Sequence, residues 1–261
     1  CHNKIESYDA VDEIFNGKFG KAKNILIEEY LEGEEMSFFT IHDGNTFKIF
    51  ETAQDHKRVL EGDKGKNTGG MGCYSPSRLL SAKLDEKINN KIIIPTLNAI
   101  KEMGSEYIGF LYVGLMIKNG NPYLVEFNVR MGDPETQVVI PRLKNDLVEI
   151  ILKCLEGNLS GASTQFLDKY CTTVILASDG YPNQYEKGKK ITNISDEDES
   201  IIFHAGTKLI NDNIISNGGR VLACTGFGSN LSEALNNSYK KANEIEWEDK
   251  YFRKDIGKDL M

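Results

Sequence analysis

The chain has 261 residues, of which 40% are hydrophobic and 27% charged, and its formal net charge is −8. This composition is typical of a globular protein with one large domain or two ordinary ones. The acidic balance argues against a nucleic-acid partner, because general binding to phosphates requires a basic surface. No apolar run approaches the roughly 18 residues that predict a membrane span, so we expect no membrane partner either.

Five cysteines are scattered along the chain without any C-x-x-C pair. An odd and scattered set predicts free thiols rather than a disulfide framework or a zinc site. Free thiols are typical of a reducing compartment, and we therefore expect the protein to be cytoplasmic.

The first third of the chain predicts a helix followed by strands. Ser7 can cap an amphipathic helix at the start of the chain. The stretch 24–50 has the apolar, β-branched character of strands, with a hairpin turn at Asp43-Gly44. Residues 61–72 are rich in glycine and charge and predict a loop, which we expect to be mobile and to close over a ligand.

The middle of the chain predicts a helix, a hairpin and a second helix. Helical spacing of apolar residues runs from Leu84 to Met103, with Pro95 as a break or kink. The segments "IGFLYVGLMI" and "PYLVEFNV" predict two strands joined by a tight turn at Asn119-Gly120. The next helix spans 146–156, and Gly157 is well placed to end it.

A small polar stretch predicts a domain boundary. We place a linker at 159–165, between a domain of residues 1–158 and a domain of residues 166–261. The second domain predicts three short strands and one helix, the helix having a capping box at Asn230 and Glu233. The predicted fold class is therefore α+β, with a small α+β module at the C-terminus.

The segment "VEFNVRMGDPETQ" interleaves a polar row with apolar residues. On a strand, Glu126, Asn128 and Arg130 share one face, and the alternate residues Val125, Phe127 and Val129 would point into a core. Neighbours in the polar row would lie roughly 6.6 Å apart. A carboxylate and an amide oxygen are ligands that Mg²⁺ accepts beside phosphates, and an arginine next in line could neutralise phosphoryl charge.

The same alternation is also typical of an antiparallel strand with one solvated face, and the row alone favours that interpretation. The turn that follows adds Asp133 and Glu135 beside the row. Acids in a turn at a strand end are a common place for a functional site.

Several long segments, in order, carry a resemblance to a known family. They are "IEEYLEGEEMSFF", "AQDHKRV", "GDKGKNTGGMGCYSP", "GFLYVGLMI", "VEFNVRMGDPETQ", "FHAGTK", "NGGRVL" and "FRKDIG". Together they resemble the ATP-grasp enzymes and, within them, the glycinamide ribonucleotide synthetase (phosphoribosylamine–glycine ligase) family. The resemblance implies the C-terminal portion of an ATP-grasp domain, an antiparallel sheet with helices, followed by the family's C-terminal domain. It also implies a further N-terminal part, with a glycine-rich phosphate loop, that this sequence does not contain.

The resemblance implies roles for residues that composition alone would leave on a solvated surface. The segment "ILIEEYLEGEE" would hold the nucleotide, with adenine at Glu28, Glu29, Tyr30 and Leu31 and ribose at Glu35. The substrate residues would be Asp55, His56, Lys57, Arg58, Asn67, Gly69 and Gly70. The metal ligands would be Glu126 and Asn128, and the catalytic residues would be Arg130, Asp133 and Glu135.

The activity that the resemblance implies is ATP-dependent ligation of glycine to 5-phosphoribosylamine, with ATP and Mg²⁺ or Mn²⁺ as cofactors. The partners would be these small molecules and the absent N-terminal part, in a monomer or weak homodimer. Two alternatives stay open. The chain could be a partial nucleotide-binding shell that is inactive alone, or a different ATP-grasp carboxylate–amine ligase.

Overall fold

The computed structural model describes residues 1, 3–195 and 199–258, and the chain divides into two units, residues 1–32 and 33–261. The first unit contains helix α1, Lys4–Phe15. The N-cap of α1 is Asn3, whose side chain accepts a hydrogen bond from the backbone N–H of Glu6 at 2.9 Å. The predicted cap at Ser7 is therefore wrong. Asn3 and Glu6 already form the capping pair one turn earlier, and Ser7 lies inside the helix.

The strands are as follows: β1 Glu34–Asp43, β2 Phe47–Asp55, β3 Arg58–Leu60, β4 Lys64–Asn67, β5 Gly72–Ser75, β6 Ile108–Lys118, β7 Asn121–Asn128, β8 Tyr170–Ser178, β9 Ser200–His204, β10 Thr207–Ile210, β11 Asn213–Ser216, β12 Arg220–Gly228 and β13 Lys250–Tyr251. Within the described residues, one nine-stranded sheet has the order β7-β6-β1-β2-β5-β8-β12-β9, with β13 also paired to β8. The strand pairs of this sheet are antiparallel. Two separate hairpins, β3–β4 and β10–β11, complete the set.

The predicted hairpins are confirmed, but the first strand begins later than predicted. Residues 24–33, all of them described, form no strand. The pairing of β1 with β6 starts at Glu34, opposite Ile117, and β6 then turns back through Asn119 and Gly120, both at positive φ. The local apolar pattern of 24–33 is not enough to make a strand, because a strand also depends on its pairing and packing context.

The remaining helices are α2 Ala82–Ile88, α3 Ile94–Glu102, α4 Thr136–Val139, α5 Leu147–Leu155 and α6 Leu231–Glu244. A π-helical segment, Asn89–Ile93, joins α2 to α3 directly before Pro95. Proline lacks an N–H and crowds the preceding turn, and a widened turn is one way to accommodate it. None of the helices in the described residues combines the length and apolar character that crossing a membrane requires.

Strand β1 lies between two hydrophobic clusters and contributes alternate residues to each. Phe39 packs in a cluster with residues of α4 and α5, whereas Phe38 packs in a second cluster with residues of α2 and the π-helical segment. Eight of the ten residues of β1 are buried, as expected of a central strand covered on both faces. The first cluster matters for function, because polar side chains extend the same face of the sheet beyond it.

The C-terminal elements continue the same sheet. Strand β8 pairs with β5 on one side and with β12 on the other, and α6 packs on a third cluster. The predicted cap at Asn230 is confirmed, since Glu233 N–H donates to Asn230 Oδ1 at 3.0 Å, whereas the Glu233 carboxylate accepts from the backbone N–H of Ser229 at 2.7 Å. The predicted linker contains a short 3-10 helix, Leu159–Gly161, with Leu159 buried in the first cluster. The boundary at 159–165 stays a prediction, and the sheet runs without interruption from strands before it to strands after it.

The glycine-rich segment 61–72 is more regular than predicted. Strand β4 lies within it and pairs with β3, the register joining Arg58 to Asn67. Arg58 Nη1 also donates to the carbonyl of Gly65 at 2.8 Å. The segment is therefore partly a hairpin rather than only a loop, because the strand that precedes it supplies backbone partners.

Candidate active site

The polar row of "VEFNVRMGDPETQ" lies on β7, the edge strand of the sheet. Glu126 is opposite Gly114 of β6 and Asn128 is opposite Tyr112, so both side chains lie on one face. Asn128 Nδ2 is 3.3 Å from Glu126 Oε1. Arg130 follows the strand, and its Nη1 donates to the carbonyl of Met131 at 2.9 Å. We call Glu126, Asn128 and Arg130 the edge row.

The interleaved apolar residues do not point into a core, contrary to the sequence-based prediction. Val125 is 40% exposed, Phe127 37% and Val129 76%. A register shift leaves Val125 unpaired between Leu124 and Glu126, which breaks the alternation. Helix α2 reaches the other end of β7, where Lys87 Nζ bonds Gly120 and Asn121. The residues are apolar without being buried because pairing with β6 covers only the backbone edge of β7, and burial of its side chains requires another element to pack on the sheet face.

A second polar group lies deeper, between β1, β6 and the turn before α4. Ser37 Oγ is 2.9 Å from Glu135 Oε1 and 3.2 Å from the Tyr112 hydroxyl. Glu135, Ser37 and Tyr112 are each 5% exposed or less. Asp55, at the end of β2, is partly buried, but its Oδ1 is shielded from solvent and has no hydrogen-bond partner among the described residues. We call Ser37, Asp55, Tyr112 and Glu135 the carboxylate floor.

Burial dominates the electrostatics of the carboxylate floor. Loss of solvation raises the pKa of Asp55 well above its usual range, and the negative charge of Glu135 raises it further. Loss of solvation also raises the pKa of Glu135, although the hydrogen bond from Ser37 acts in the opposite direction. Two carboxyl groups that resist ionisation in one site are a common mark of a functional position.

A lysine and a glutamate form an ion pair above the floor. Lys57 Nζ is 2.6 Å from Glu35 Oε2. Burial acts to lower the pKa of Lys57, but the charge and hydrogen bond of Glu35 outweigh burial and raise it above its usual value. Lys57 therefore stays a cation at neutral pH. One cavity is lined by Glu35, Ser37, Asp55, Lys57, Tyr112 and Glu126.

This cavity joins residues that the sequence analysis had assigned to three different roles. Glu35 was predicted to bind ribose, Asp55 and Lys57 to bind substrate, and Glu126 to bind metal. They come from β1, the end of β2 and β7, which are brought together by the strand order β7-β6-β1-β2. Gly114 permits the approach, since a Cβ there would be 3.0 Å from Glu126 Cγ and 3.2 Å from Tyr112 Cε1.

Other predicted site residues have different contacts. Asp133 forms an ion pair with Arg220, Oδ2 to Nη2, at 2.7 Å. His56 is buried, and its Nε2 is 3.5 Å from the backbone nitrogen of Gly257. Arg58 and Asn67 belong to the β3–β4 hairpin. Each of these residues thus makes a contact within the fold, and that contact explains at least part of its position without a ligand.

The predicted nucleotide segment and the cavity belong to different units of the chain. Glu28, Glu29, Tyr30 and Leu31 belong to the first unit, and every residue of the cavity belongs to the second. Gly70 belongs to the second unit and is buried, and Gly69 next to it contacts Arg220. The roles of all these residues stay predictions.

Ser37, Tyr112 and Arg220 belong to the site but were not predicted from the sequence. Ser37 and Tyr112 lie within apolar strands, and only strand pairing brings them to the site. Arg220 begins β12 inside "NGGRVL", a segment that contributed to the resemblance without receiving a role. An arginine directly after two glycines, at the start of a buried strand, was the available signal.

Two family models match the chain. The ATP-grasp (A) domain of phosphoribosylglycinamide synthetase matches residues 1–136, and the C domain of the same synthetase matches residues 171–259. The two matches lie on either side of the predicted linker.

Known proteins are similar over almost all of the chain. Proteins named phosphoribosylamine–glycine ligase are 44% identical in Chlorobaculum tepidum, over 98% of this chain and 61% of that protein, and 45% identical in Vigna unguiculata, over 93% of this chain and 81% of that protein. The crystal structure of phosphoribosylamine–glycine ligase from Thermotoga maritima superposes with a TM-score of 0.87 at 35% identity, over 97% of this chain and 63% of that one.

The chain spans about 60% of the length of the bacterial relatives that it matches. Its mixed sheet-and-helix architecture is that of the C-terminal portion of an ATP-grasp enzyme, as the sequence predicted. On the two family matches and the similarity to these relatives, the chain belongs to the phosphoribosylglycinamide synthetase family.

Proposed function

We propose that the chain is part of an enzyme that ligates glycine to 5-phosphoribosylamine, forming glycinamide ribonucleotide, ADP and phosphate. The observation that carries the proposal is the cavity in which Glu35, Asp55 and Glu126 meet. The relatives named phosphoribosylamine–glycine ligase support the choice of substrates. By the complete enzyme we mean this chain together with the N-terminal portion that the greater length of its relatives implies.

The edge row is suited to a divalent cation. Glu126 is exposed, and its carboxylate is already in contact with the Asn128 amide at 3.3 Å. If the amide presents its oxygen instead of its nitrogen, both side chains offer hard oxygen ligands to one ion, as Mg²⁺ prefers. When bound, Mg²⁺ or Mn²⁺ would neutralise charge on the nucleotide phosphates. Glu126 and Asn128 would hold it, and Arg130 would face the same charge from the next position.

The carboxylate floor is suited to the ammonium group of glycine. Glycine carries the cationic group that two sheltered carboxyl groups can bind, whereas ATP and the phosphate of phosphoribosylamine are anionic. Asp133 is less suited to this role because Arg220 already occupies its carboxylate. We therefore assign the ammonium to Asp55 and Glu135, with Ser37 holding the Glu135 carboxylate in place at 2.9 Å.

The reaction then proceeds in two balanced steps. A carboxylate oxygen of glycine attacks the γ-phosphorus of ATP, the bond to the β-phosphate oxygen breaks, and ADP leaves. The amine of phosphoribosylamine attacks the carbonyl carbon of the resulting glycyl phosphate, phosphate leaves, and the amine loses a proton to solvent. The residues of this chain bind and orient the reactants, and Lys57 supplies positive charge beside the cavity.

The test is an assay of ADP release by the complete enzyme with glycine and 5-phosphoribosylamine, against a panel of other acids and amines. We expect ADP release to require both substrates. Glu126→Ala should lower kcat/KM by at least about 10³-fold with unchanged folding, because one ligand to the cation is lost. Glu106→Ala removes an exposed glutamate outside the cavity and serves as the matched control.

Near-normal turnover of Glu126→Ala would refute the assigned role of the edge row. Equal activity with another acid or amine would instead favour a different ATP-grasp carboxylate–amine ligase. The cytoplasmic location and the monomeric or weakly dimeric state complete the proposal, and gel filtration of the complete enzyme tests the latter.

We also propose a second candidate, in which the chain by itself is a partial nucleotide-binding shell without activity. The observation behind it is that the chain spans about 60% of the length of its bacterial relatives. Calorimetry with Mg·ATP on the chain, with and without the N-terminal portion, distinguishes the two. Tight ATP binding by the chain alone would contradict the partial-shell interpretation.

A further inference from the structure

Arg220 makes a concentrated set of contacts for a single side chain. Its Nη1 donates to the carbonyl of Gly69 at 2.7 Å and to the carbonyl of Asp133 at 2.8 Å, with Gly70 O at 3.4 Å. Its Nη2 donates to Asp133 Oδ2 at 2.7 Å. Arg220 begins β12, so one residue from the C-terminal part of the sheet joins two loops that are separated by more than 60 residues of sequence.

The first of these loops lies directly on the carboxylate floor. Gly70 has a φ of +112°, and a Cβ there would be 2.5 Å from Asp55 Oδ1 and 2.4 Å from Pro134 Cδ. Gly69 is held from both ends of its backbone, because its N–H donates to the Tyr181 hydroxyl at 3.1 Å and its carbonyl accepts from Arg220. The glycine loop therefore touches Asp55 on one side and the turn of Asp133 and Pro134 on the other.

The second loop leads into Glu135. The Glu135 carboxylate packs closely against Gly132 of the same turn. A Cβ added to Gly132 would be 2.2 Å from Glu135 Oε2. The backbone carbonyl of Glu135 accepts from the N–H groups of Val138 and Val139 at the start of α4. A displacement of Asp133 would therefore be transmitted to Glu135 by a short and tightly packed connection.

We propose that Arg220 is a positioning residue that holds the glycine loop and the Asp133 turn together and so fixes Asp55 and Glu135 for binding of the glycine ammonium. This inference rests on the proposed function. An arginine is required because its planar guanidinium presents several donors in a fixed fork, whereas a lysine is a single point of charge. Asp133 acts as an anchor for Arg220 rather than as a ligand for substrate.

An ordinary surface ion pair would not have this effect. The Asp133 side chain is 51% exposed, and an exposed pair contributes little to stability. The Arg220 side chain is 18% exposed, however, and two backbone carbonyls within 2.8 Å fix its orientation. The contribution is therefore to the local order of two loops, and the stability of the whole sheet should change little.

The first test measures hydrogen exchange of backbone amides in the complete enzyme. We expect Arg220→Ala to raise exchange about tenfold or more in residues 68–71 and 132–138 and to leave residues 36–42 of β1 unchanged. Arg220→Lys should give an intermediate rise, and it replaces Arg220→Ala if that variant fails to fold. Lys169→Ala removes the exposed ion pair with Glu199 and is the matched control.

The second test separates positioning from direct contact with substrate. We expect Arg220→Ala to lower kcat/KM for glycine about 100-fold, because small displacements of binding groups cost about that much. The KM for ATP should stay within about twofold. Asp133→Asn should give a smaller loss, and combining it with Arg220→Ala should add little, because the two residues act as one unit.

The inference is overturned if exchange in both loops is unchanged in Arg220→Ala. Unchanged exchange together with a raised KM for phosphoribosylamine alone would identify a direct substrate contact and equally overturn it. Absence of glycine-dependent ADP release in the unaltered complete enzyme would refute the proposed function instead, and the exchange measurement would still decide whether the two loops depend on Arg220.

Discussion

The edge row and the carboxylate floor both contribute to one cavity, the row through Glu126 and the floor through Ser37, Asp55 and Tyr112, but they are built in opposite ways. Glu126 and Arg130 are exposed at the end of an edge strand, and the side-chain hydrogen bonds described for them join near neighbours in sequence. Ser37, Tyr112 and Glu135 are buried and come from three elements far apart in sequence. An exposed row is open to the ligand that it binds, whereas burial raises the pKa of the carboxyl groups of the floor. The difference indicates separate duties: the row would bind the divalent cation and the phosphates, and the floor would bind the ammonium group of glycine.

The first prediction, which has the largest effect on kcat/KM, uses one variant in the floor and one in the row to separate the two duties. In the complete enzyme, Glu135→Gln should lower kcat/KM for glycine about 10³-fold, because the bound ammonium favours the ionised form of the buried Glu135 carboxyl and an amide cannot supply that charge. Asn128→Ala should instead raise the Mg²⁺ concentration needed for half-maximal rate about 10- to 100-fold. Initial rates at varied glycine, ATP and Mg²⁺ distinguish these effects.

The proposal of separate duties for the row and the floor would be contradicted if both variants changed the same kinetic parameter. If Glu135→Gln altered the Mg²⁺ requirement and left the KM for glycine unchanged, the floor would belong to the cation site. Glu106→Gln is the matched control, because Glu106 is exposed and lies outside the cavity. A substitution of Gln137 is not suitable, because the Gln137 side chain donates a hydrogen bond to Asp133.

A second prediction tests how tightly the floor is packed. Gly70→Ala should lower kcat/KM about 100-fold and destabilise the chain by about 1–3 kcal/mol, because its Cβ would meet both Asp55 and Pro134 at a positive φ. Gly104→Ala is a matched control, since Gly104 also has positive φ, +79°, but has no atom within 4 Å of the added Cβ. Equal losses in the two variants would mean that backbone strain alone explains the effect. Urea unfolding and initial rates measure both quantities.

The same contrast explains which parts of the site the sequence predicted. The edge row follows from strand periodicity, which is a local property. The cap at Asn230 and the turn at Asn119-Gly120 follow from the local preferences of helix caps and tight turns. Ser37 and Tyr112 reach the floor only through the register of β1 and β6, which no local pattern specifies. Arg220 lies 150 residues from Gly70 in sequence.

The wrong predictions also arise where tertiary structure, rather than a local pattern, decides the outcome. Val125, Phe127 and Val129 were predicted to be buried because their spacing fits a covered strand, but burial also depends on what packs on that strand. Residues 24–33 were predicted to be a strand because of their apolar, β-branched pattern, but they form none. Periodicity predicted which residues share a face, and tertiary structure decided whether that face was covered.

A third prediction uses the raised pKa of Asp55. Because folding favours the protonated carboxyl, the stability that Asp55 contributes is fully present below its usual pKa of about 4 and is lost as pH rises through its raised pKa in the fold. Asp55→Asn replaces the carboxyl group with an amide that has nearly the same shape and stays neutral at every pH. We expect its thermal midpoint to exceed that of the unaltered protein by about 2–4 °C at pH 8, which corresponds to about 1 kcal/mol, while glycine-dependent activity falls.

The difference in thermal midpoint should shrink toward pH 4, where the unaltered Asp55 is protonated too. Asp168→Asn, at an exposed position, should show no such trend with pH. A variant that is less stable than the unaltered protein at pH 8 would show that Asp55 is ionised and well paired in the fold, and the floor would then be no different from the row in its electrostatics.

The smallest expected effect concerns the apolar residues behind the edge row. Val129→Ser should change the free energy of unfolding of the chain by about 0.5 kcal/mol or less, because the Val129 side chain is 76% exposed. Phe39→Ala, in the buried cluster on the floor side of β1, should cost about 3–5 kcal/mol. Urea unfolding of the two variants measures the contrast. A loss of more than about 2 kcal/mol in Val129→Ser would mean that the edge strand is covered in solution, and the row would then be as firmly anchored as the floor.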